Sequence, residues 1–192
     1  MRKLCVVVGM LLLVSFSAAA QDTPQGELFG GYSFQRFNPG GGFTGGNLNG
    51  WMASLTGNVN SWFGVTAEFA GNYGKDRFGA ATTIETNHHT FMFGPRFSYR
   101  ANEHWTPFVH ALFGFGRLTG AHLGTTFGDT LVDTGFAWAS GGGIDIKASP
   151  RLAVRIVQVD VLYTRFERPL GTQAAQTSVR LSFGINYRFG SR

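Results

Sequence analysis

From Ser178 to Phe189 the chain alternates without interruption. Val179, Leu181, Phe183, Ile185, Tyr187 and Phe189 fall on one phase, and Ser178, Arg180, Ser182, Gly184, Asn186 and Arg188 on the other. A helix brings residues three and four apart onto one face, so period two over such a length describes a strand with one apolar and one polar side. Two further segments obey the same rule. Phe91, Phe93, Pro95, Phe97 and Tyr99 oppose Thr90, Met92, Gly94, Arg96, Ser98 and Arg100, while Phe63, Val65, Ala67, Phe69 and Tyr73 oppose Gly64, Thr66, Glu68, Ala70 and Asn72.

Turn signals divide the sequence into eight such segments, near 26–36, 48–57, 62–73, 89–100, 105–118, 135–147, 152–165 and 176–189. Each is close to the roughly 9–11 residues that a tilted strand needs to cross a bilayer. Short turns at Asn58–Ser61, Ala101–His104 and Ala148–Arg151 alternate with longer Gly- and Thr-rich connections near 37–47, 74–88, 119–134 and 166–175. Short connections on one side and long ones on the other are characteristic of outer-membrane barrels. The expected fold is therefore all-β: an eight-stranded antiparallel up-and-down transmembrane β-barrel, with short turns in the periplasm and long loops outside.

The N-terminus fits that destination. Arg2 and Lys3 precede an apolar run from Val6 to Val14, which ends in Ser17-Ala18-Ala19-Ala20. This is the layout of a secretory signal peptide, too short to span as a helix, with cleavage expected before Gln21. The expected division is a signal peptide over 1–20 and a barrel over 21–192. The single cysteine, Cys5, leaves with the signal, so no disulfide or thiolate site is expected in the mature chain. Removing Arg2 and Lys3 lowers the formal charge from +5 to +3. The arginines are spread along the strands without the clustered basic face of a nucleic-acid binder.

Alternation alone does not say which face points outward, but volume does. Eight strands enclose a space only wide enough for side chains to fill. Phe, Tyr, Trp, Val and Leu crowd the apolar face, whereas the opposite face is mostly small and polar. Lipid-facing apolar side chains around a polar lumen are the consistent assignment. Trp62, Tyr99, Trp105 and Tyr187 then lie beside the short turns as a periplasmic aromatic girdle. Trp51, Tyr73, Trp138 and Tyr163 are candidates for the outer one.

The final Gly184-Ile185-Asn186-Tyr187-Arg188-Phe189 resembles the C-terminal signal by which outer-membrane barrels are recognised for assembly, carried by Tyr187 and Phe189. With Phe93-Gly94-Pro95-Arg96, Pro107-Phe108-Val109-His110-Ala111 and Gly141-Gly142-Gly143-Ile144-Asp145, the chain resembles the small OmpA-type outer-membrane β-barrel family. The resemblance covers nearly all of the mature sequence. It implies residence in the outer membrane of a Gram-negative-type bacterium, contact with its lipids, and engagement by the barrel-assembly machinery during insertion. The Gly190-Ser191-Arg192 tail departs from members that stop at the aromatic residue. The peptidoglycan-binding domain of the larger relatives has no counterpart here, so cell-wall anchoring is not implied.

Glu68, Arg96, Asp145, Asp160 and Arg180 fall on the lumenal phase and must be paired or solvated, because an isolated buried charge costs several kcal/mol. Asp160 with Arg180, and Glu68 with Arg96, lie on neighbouring strands and are the expected pairs of a lumenal network. Strand seven breaks phase, since Arg155 shares a face with Val157, Val159 and Val161, opposite Gln158 and Asp160. Either a β-bulge near Ile156 turns Arg155 toward Asp145, or Arg155 snorkels to the periplasmic interface; the bulge is preferred.

No short motif joins a serine, a histidine and a carboxylate as nucleophilic catalysis requires. His110 faces the lumen, and His88, His89, His104 and His122 lie in or near connections. His88 and His89 point to opposite faces and do not chelate one ion together. Gly40-Gly41-Gly42 and Gly45-Gly46 lack the lysine and helix of a phosphate loop. No catalytic, cofactor or metal site is expected. The expected role is structural or surface-interacting, with a largely plugged lumen and an unidentified surface ligand; Arg117 and Arg165 stand where lipid phosphates would lie. The alternatives are a small diffusion pore and a lipid-modifying barrel enzyme.

Overall fold

A computed structural model describes residues 23–37, 46–78, 82–121, 130–167 and 173–191. The signal peptide expected over 1–20, His122 and the glycine runs at 40–42 and 45 lie outside them. Eight strands, β1 (Pro24–Phe37), β2 (Gly46–Asn58), β3 (Phe63–Phe78), β4 (Thr82–Ser98), β5 (Trp105–Ala121), β6 (Thr130–Lys147), β7 (Leu152–Glu167) and β8 (Gln173–Ser191), form a closed barrel in sequence order. Every neighbouring pair is antiparallel, and β8 closes on β1 in the register Gly26↔Phe189 to Arg36↔Val179. Closure gives every strand two partners and leaves no open edge, which is what a strand needs in hydrocarbon.

The short turns are built by side chains that satisfy freed backbone groups. Asn60 Oδ1 accepts from the amides of Trp62 at 3.0 Å and Phe63 at 2.7 Å. Asn102 Oδ1 accepts from His104 N at 2.8 Å, and Ser149 Oγ from Leu152 N at 3.1 Å. Asn and Ser favour turns because their short side chains mimic a backbone acceptor.

At the other end the strands run further than the sequence pattern suggests. Residues 74–78, 82–88, 119–121, 130–134 and 173–175, expected in long loops, are strand. The backbone ladder continues whether or not the side chains are apolar, and threonines such as Thr82, Thr83, Thr86 and Thr130 favour it. Strands of 13 to 19 residues exceed the roughly 9–11 that cross the bilayer, so they extend beyond the hydrocarbon on the loop side.

The apolar face points outward. Phe93, Val109, Phe183 and Ile185 are each more than half exposed, and all four belong to the alternating apolar phase. Aromatic side chains pair across the strands on this face. Trp51 meets Phe69 edge-on at 5.2 Å, Trp62 stacks on Phe97 at 5.9 Å and Trp138 lies 6.2 Å from Tyr163.

Candidate functional site

The lumen is lined by the opposite phase, and the barrel's chemistry is concentrated there. On the outer side of the lumen, Arg180 on β8 faces Asp160 on β7 in register. Its Nη2 donates to Asp160 Oδ2 at 2.7 Å and also to Glu68 Oε1 from β3. His110 Nε2 lies 2.8 Å from Asp160 Oδ1, and Gln158 Nε2 donates to Asp160 Oδ2 at 2.9 Å. One guanidinium thus bridges two carboxylates, with an imidazole and an amide completing their hydrogen bonds.

A second cluster lies toward the periplasm. Arg155 Nε donates to Asp145 Oδ1 at 2.7 Å and its Nη2 to Oδ2 at 3.1 Å, a bidentate pair. Arg96 Nη2 reaches the same carboxylate at 3.0 Å and Glu27 at 3.5 Å. Glu27 also accepts from Arg100, from Asn58 Nδ2 at 3.0 Å and from Asn186 Nδ2 at 2.8 Å. Gln158 joins the clusters, because its Oε1 accepts from Arg155 Nη1 at 2.7 Å while its amide nitrogen serves the upper carboxylates.

Arg155 enters the lumen through the bulge. Ile144 and Asp145 pair with Val157 and Arg155, so Ile156 is the extra residue against β6; against β8, Ile156 and Val157 together stand opposite Phe183, between the pairs Arg155↔Gly184 and Gln158↔Ser182. Ile156 and Val157 both face outward, and the inward phase resumes at Gln158.

One expected pairing is wrong. Glu68 does not pair with Arg96, although their strands are neighbours. In the β3–β4 register Arg96 lies opposite Gly64, four residues from Glu68, which faces Met92. That is about 13 Å along the strand, so Glu68 reaches across the lumen to Arg180 and Arg96 turns to Asp145 and Glu27. Sequence phase gives the face of a residue, whereas pairing depends on register.

The lumenal network expected from the sequence does not include Glu27, Arg100, Phe29 and Phe108, which the structure adds to it. Glu27 shares its phase with Ser33 and Gln35, a signal that was available. Phe29 and Phe108 are large apolar side chains on the lumenal phase, both buried. The Arg155 guanidinium carbon lies 4.1 Å from the Phe29 ring centre and 4.4 Å from that of Phe108, and the Arg96 carbon 3.9 Å from Phe108. These are cation–π contacts in a desolvated setting, where they are strongest. Glycine makes their room: a Cβ at Gly31 would come 2.7 Å from Phe29, and one at Gly143 2.9 Å from Phe108.

The girdle and C-terminal residues predicted from the sequence are on the outward face. Trp62, Tyr99, Trp105 and Tyr187 are exposed, Tyr99 and Trp105 flanking one turn. Phe189 lies beside Tyr187, ring centres 6.3 Å apart, and covers Gly26 of β1. His88 is buried and its Nδ1 lies 3.1 Å from Gln35 Oε1, whereas His89 points outward with Nε2 3.2 Å from the Tyr73 hydroxyl.

A family model for the outer membrane protein beta-barrel domain matches residues 6–189. The chain belongs to that family. Its place is the outer membrane of a Gram-negative bacterium. The outer membrane β-barrel domain described here is similar to Neisserial surface protein A, with a TM-score of 0.64 at 11% identity over 86% of this chain and 97% of that one. It is also similar to Ail, the attachment invasion locus protein of Yersinia pestis (TM-score 0.61, 18% identity, 87% and 99% covered). A third likeness is to E. coli outer membrane protein W (TM-score 0.53, 16% identity, 88% and 100% covered). At these identities the likeness is one of fold. No curated protein matches the chain.

Within this barrel domain, Glu68, His110 and Asp160 each offer a ligand atom, the three lying within 4.8 Å of one another. Arg180 already bonds both carboxylates, so the chain itself supplies the positive charge that a metal would bring. His110 is bonded to a carboxylate as a catalytic histidine would be. Among the described residues, however, the hydrogen bonds of His89, His104 and His110 include none to a serine hydroxyl.

Proposed function

We propose that this protein is a closed outer-membrane barrel with a structural and surface-interaction role, its lumen plugged by the two ion-pair clusters. The observation that carries this reading is the burial of Arg96, Arg155 and Arg180 at 2% exposure or less inside the lumen, each bonded to carboxylates from other strands. Charges held this tightly resist separation, because breaking a buried pair costs about 3–5 kcal/mol. Planar-bilayer recording tests it: the purified barrel gives no stepwise conductance. An open, charge-selective channel that disappears in Glu68→Gln would make the clusters a gate and the protein a diffusion pore.

The surface role is supported by cations at the outer strand ends. Arg36, Arg117 and Arg165 are exposed on the outward phase of β1, β5 and β7. The structure of Ail has also been solved with the heparin analogue sucrose octasulfate (TM-score 0.58, 18% identity). A polyanionic partner is consistent with such a cationic rim, and with outer-membrane lipid phosphates as the everyday ligand. Retention on immobilised heparin, reduced when the three arginines become glutamine, is the expected result. Tyr187 and Phe189 are the residues offered to the assembly machinery, so Phe189→Ala lowers the amount of barrel in the membrane fraction. The enzyme reading has weaker support, since His110 is committed to Asp160 inside the plug. Unchanged lipid profiles in a deletion strain are the expected outcome.

A further inference from the structure

The two clusters differ in charge balance. In the upper one, Glu68 and Asp160 are met by Arg180 and hydrogen-bonded by His110 and Gln158. In the periplasmic one, Glu27 and Asp145 face Arg96, Arg100 and Arg155, and a fourth guanidinium, Arg188, stands beside Glu27 in the β1–β8 register. Two carboxylates therefore meet four guanidinium groups, which never deprotonate in proteins. An excess of like charge in a confined, poorly solvated space is costly unless a counter-ion joins it.

The hydrogen bonds point the same way. The Nε–H groups of Arg96, Arg100 and Arg188 are buried and have no acceptor among the described residues. Arg96 is almost wholly buried; Arg100, 8% exposed at its side chain, and half-buried Arg188 stand nearer the periplasmic mouth. Among the described residues, the Arg188 guanidinium makes one hydrogen bond, a long 3.4 Å bond from Nη2 to Thr106 Oγ1. Its guanidinium is the least committed of the four and the one that a ligand arriving from the periplasm meets first. Spare positive charge at the mouth, where Arg188 is half-buried beside Glu27, suits an acceptor-only, negatively charged ligand.

We propose that the periplasmic floor of the lumen binds a small oxyanion of the phosphate class, held by Arg188 and Arg100 at the mouth with Arg96 behind them. Guanidinium groups recognise tetrahedral oxyanions through charge-assisted N–H···O bonds, and the flat fork of arginine suits them better than a halide. The site does not require a closed lumen, so it stands or falls separately from the conductance test above. The ligand is either free phosphate or the headgroup of a periplasmic-leaflet phospholipid.

The test uses the full mature barrel in a phosphate-free maltoside detergent at constant ionic strength. Inorganic phosphate is titrated while bound ion is followed by its ³¹P signal and the unfolding temperature by the gel-mobility shift on heating. Saturable binding is expected, with an unfolding temperature that climbs with phosphate concentration and not with gluconate, as ligand linkage requires. In Arg188→Gln, which breaks none of the ion pairs of Arg96, Arg100, Arg155 and Arg180, affinity falls at least about tenfold, the loss expected for one charge-assisted bond. Lys147→Gln, at an exposed cation on the end of β6, leaves it unchanged. Folding of each variant is checked by the same mobility shift. Competition by phosphatidylglycerol added to the micelles assigns the ligand as a headgroup, and lack of competition as the free ion. An effect of phosphate no larger than that of gluconate, or one that survives intact in Arg188→Gln, overturns the proposal.

Discussion

His110 Nε2 lies 2.8 Å from Asp160 Oδ1 although the two residues are two strands apart, with Gly141 of β6 between them in both ladders. The contact exists because residue 141 has no side chain: a Cβ there would fall 2.2 Å from Asp160 Oδ1 and 2.2 Å from the carbonyl oxygen of Val159. One of these obstacles is backbone and does not rotate away. Gly141→Ala is therefore expected to destabilise the barrel by about 1–3 kcal/mol, in the range of overpacked sites. The temperature at which the unboiled band converts to the boiled one would fall accordingly. An unchanged conversion temperature would mean that the strands relax around position 141 without cost.

Arg180 bridges Glu68 and Asp160, so its loss strands two buried carboxylates at once. Arg180→Met is expected to cost about 3–5 kcal/mol in urea unfolding from lipid vesicles, the penalty of an uncompensated buried charge. Adding Glu68→Gln and Asp160→Asn to the same chain should recover most of that loss, since the amides remove the repulsion and Gln158 remains to bond them. Additive losses across the three substitutions would show that the groups do not act as one unit.

What the sequence disclosed and what it withheld divide along a physical line. Strand phase is local: the alternation in β3, β4 and β8 separates an apolar from a polar face, turn signals count the strands, and the small volume of an eight-stranded lumen assigns the apolar face to lipid. The break at Arg155 was legible for the same reason, because one residue out of phase has few remedies. Register is not local. It placed Arg96 opposite Gly64 and sent Glu68 across the lumen to Arg180, and nothing along either strand encodes that offset. The lumenal places of Phe29 and Phe108 depend on space opened by Gly31 and Gly143, so the rule that small polar residues fill the interior holds only on average. The outer strand ends were read as loops because hydropathy reports where lipid ends, whereas ladder pairing continues into water.

Ile156 is the extra residue on β7 against β6, and against β8 it shares one place with Val157; the inward phase is continuous on either side once it is removed. Deleting Ile156 should thus preserve the inward positions of Arg155 and Gln158 and yield a folded, heat-modifiable barrel. Deleting Leu162, which is buried in a regular stretch, would turn Tyr163 inward and Thr164 outward. That variant is expected to be absent from the folded band. Equal recovery of the two deletions would locate the irregularity elsewhere.

Phe93 is 56% exposed on β4, flanked on the same face by Phe91 and Phe97, in the middle of the apolar band. Thr177, exposed on β8 opposite Tyr163, lies toward the outer end. An arginine on the lipid face costs about 2–4 kcal/mol at the bilayer midplane and about 0–1 near the interface. Phe93→Arg should accordingly lower folding stability in phospholipid vesicles by several times the effect of Thr177→Arg, as measured by reversible urea titration of tryptophan fluorescence. The comparison tests the orientation of the whole barrel, because on a water-exposed surface an added arginine is close to neutral at both positions. A depth-dependent difference follows only if the face carrying Phe93, Val109 and Ile185 is solvated by hydrocarbon.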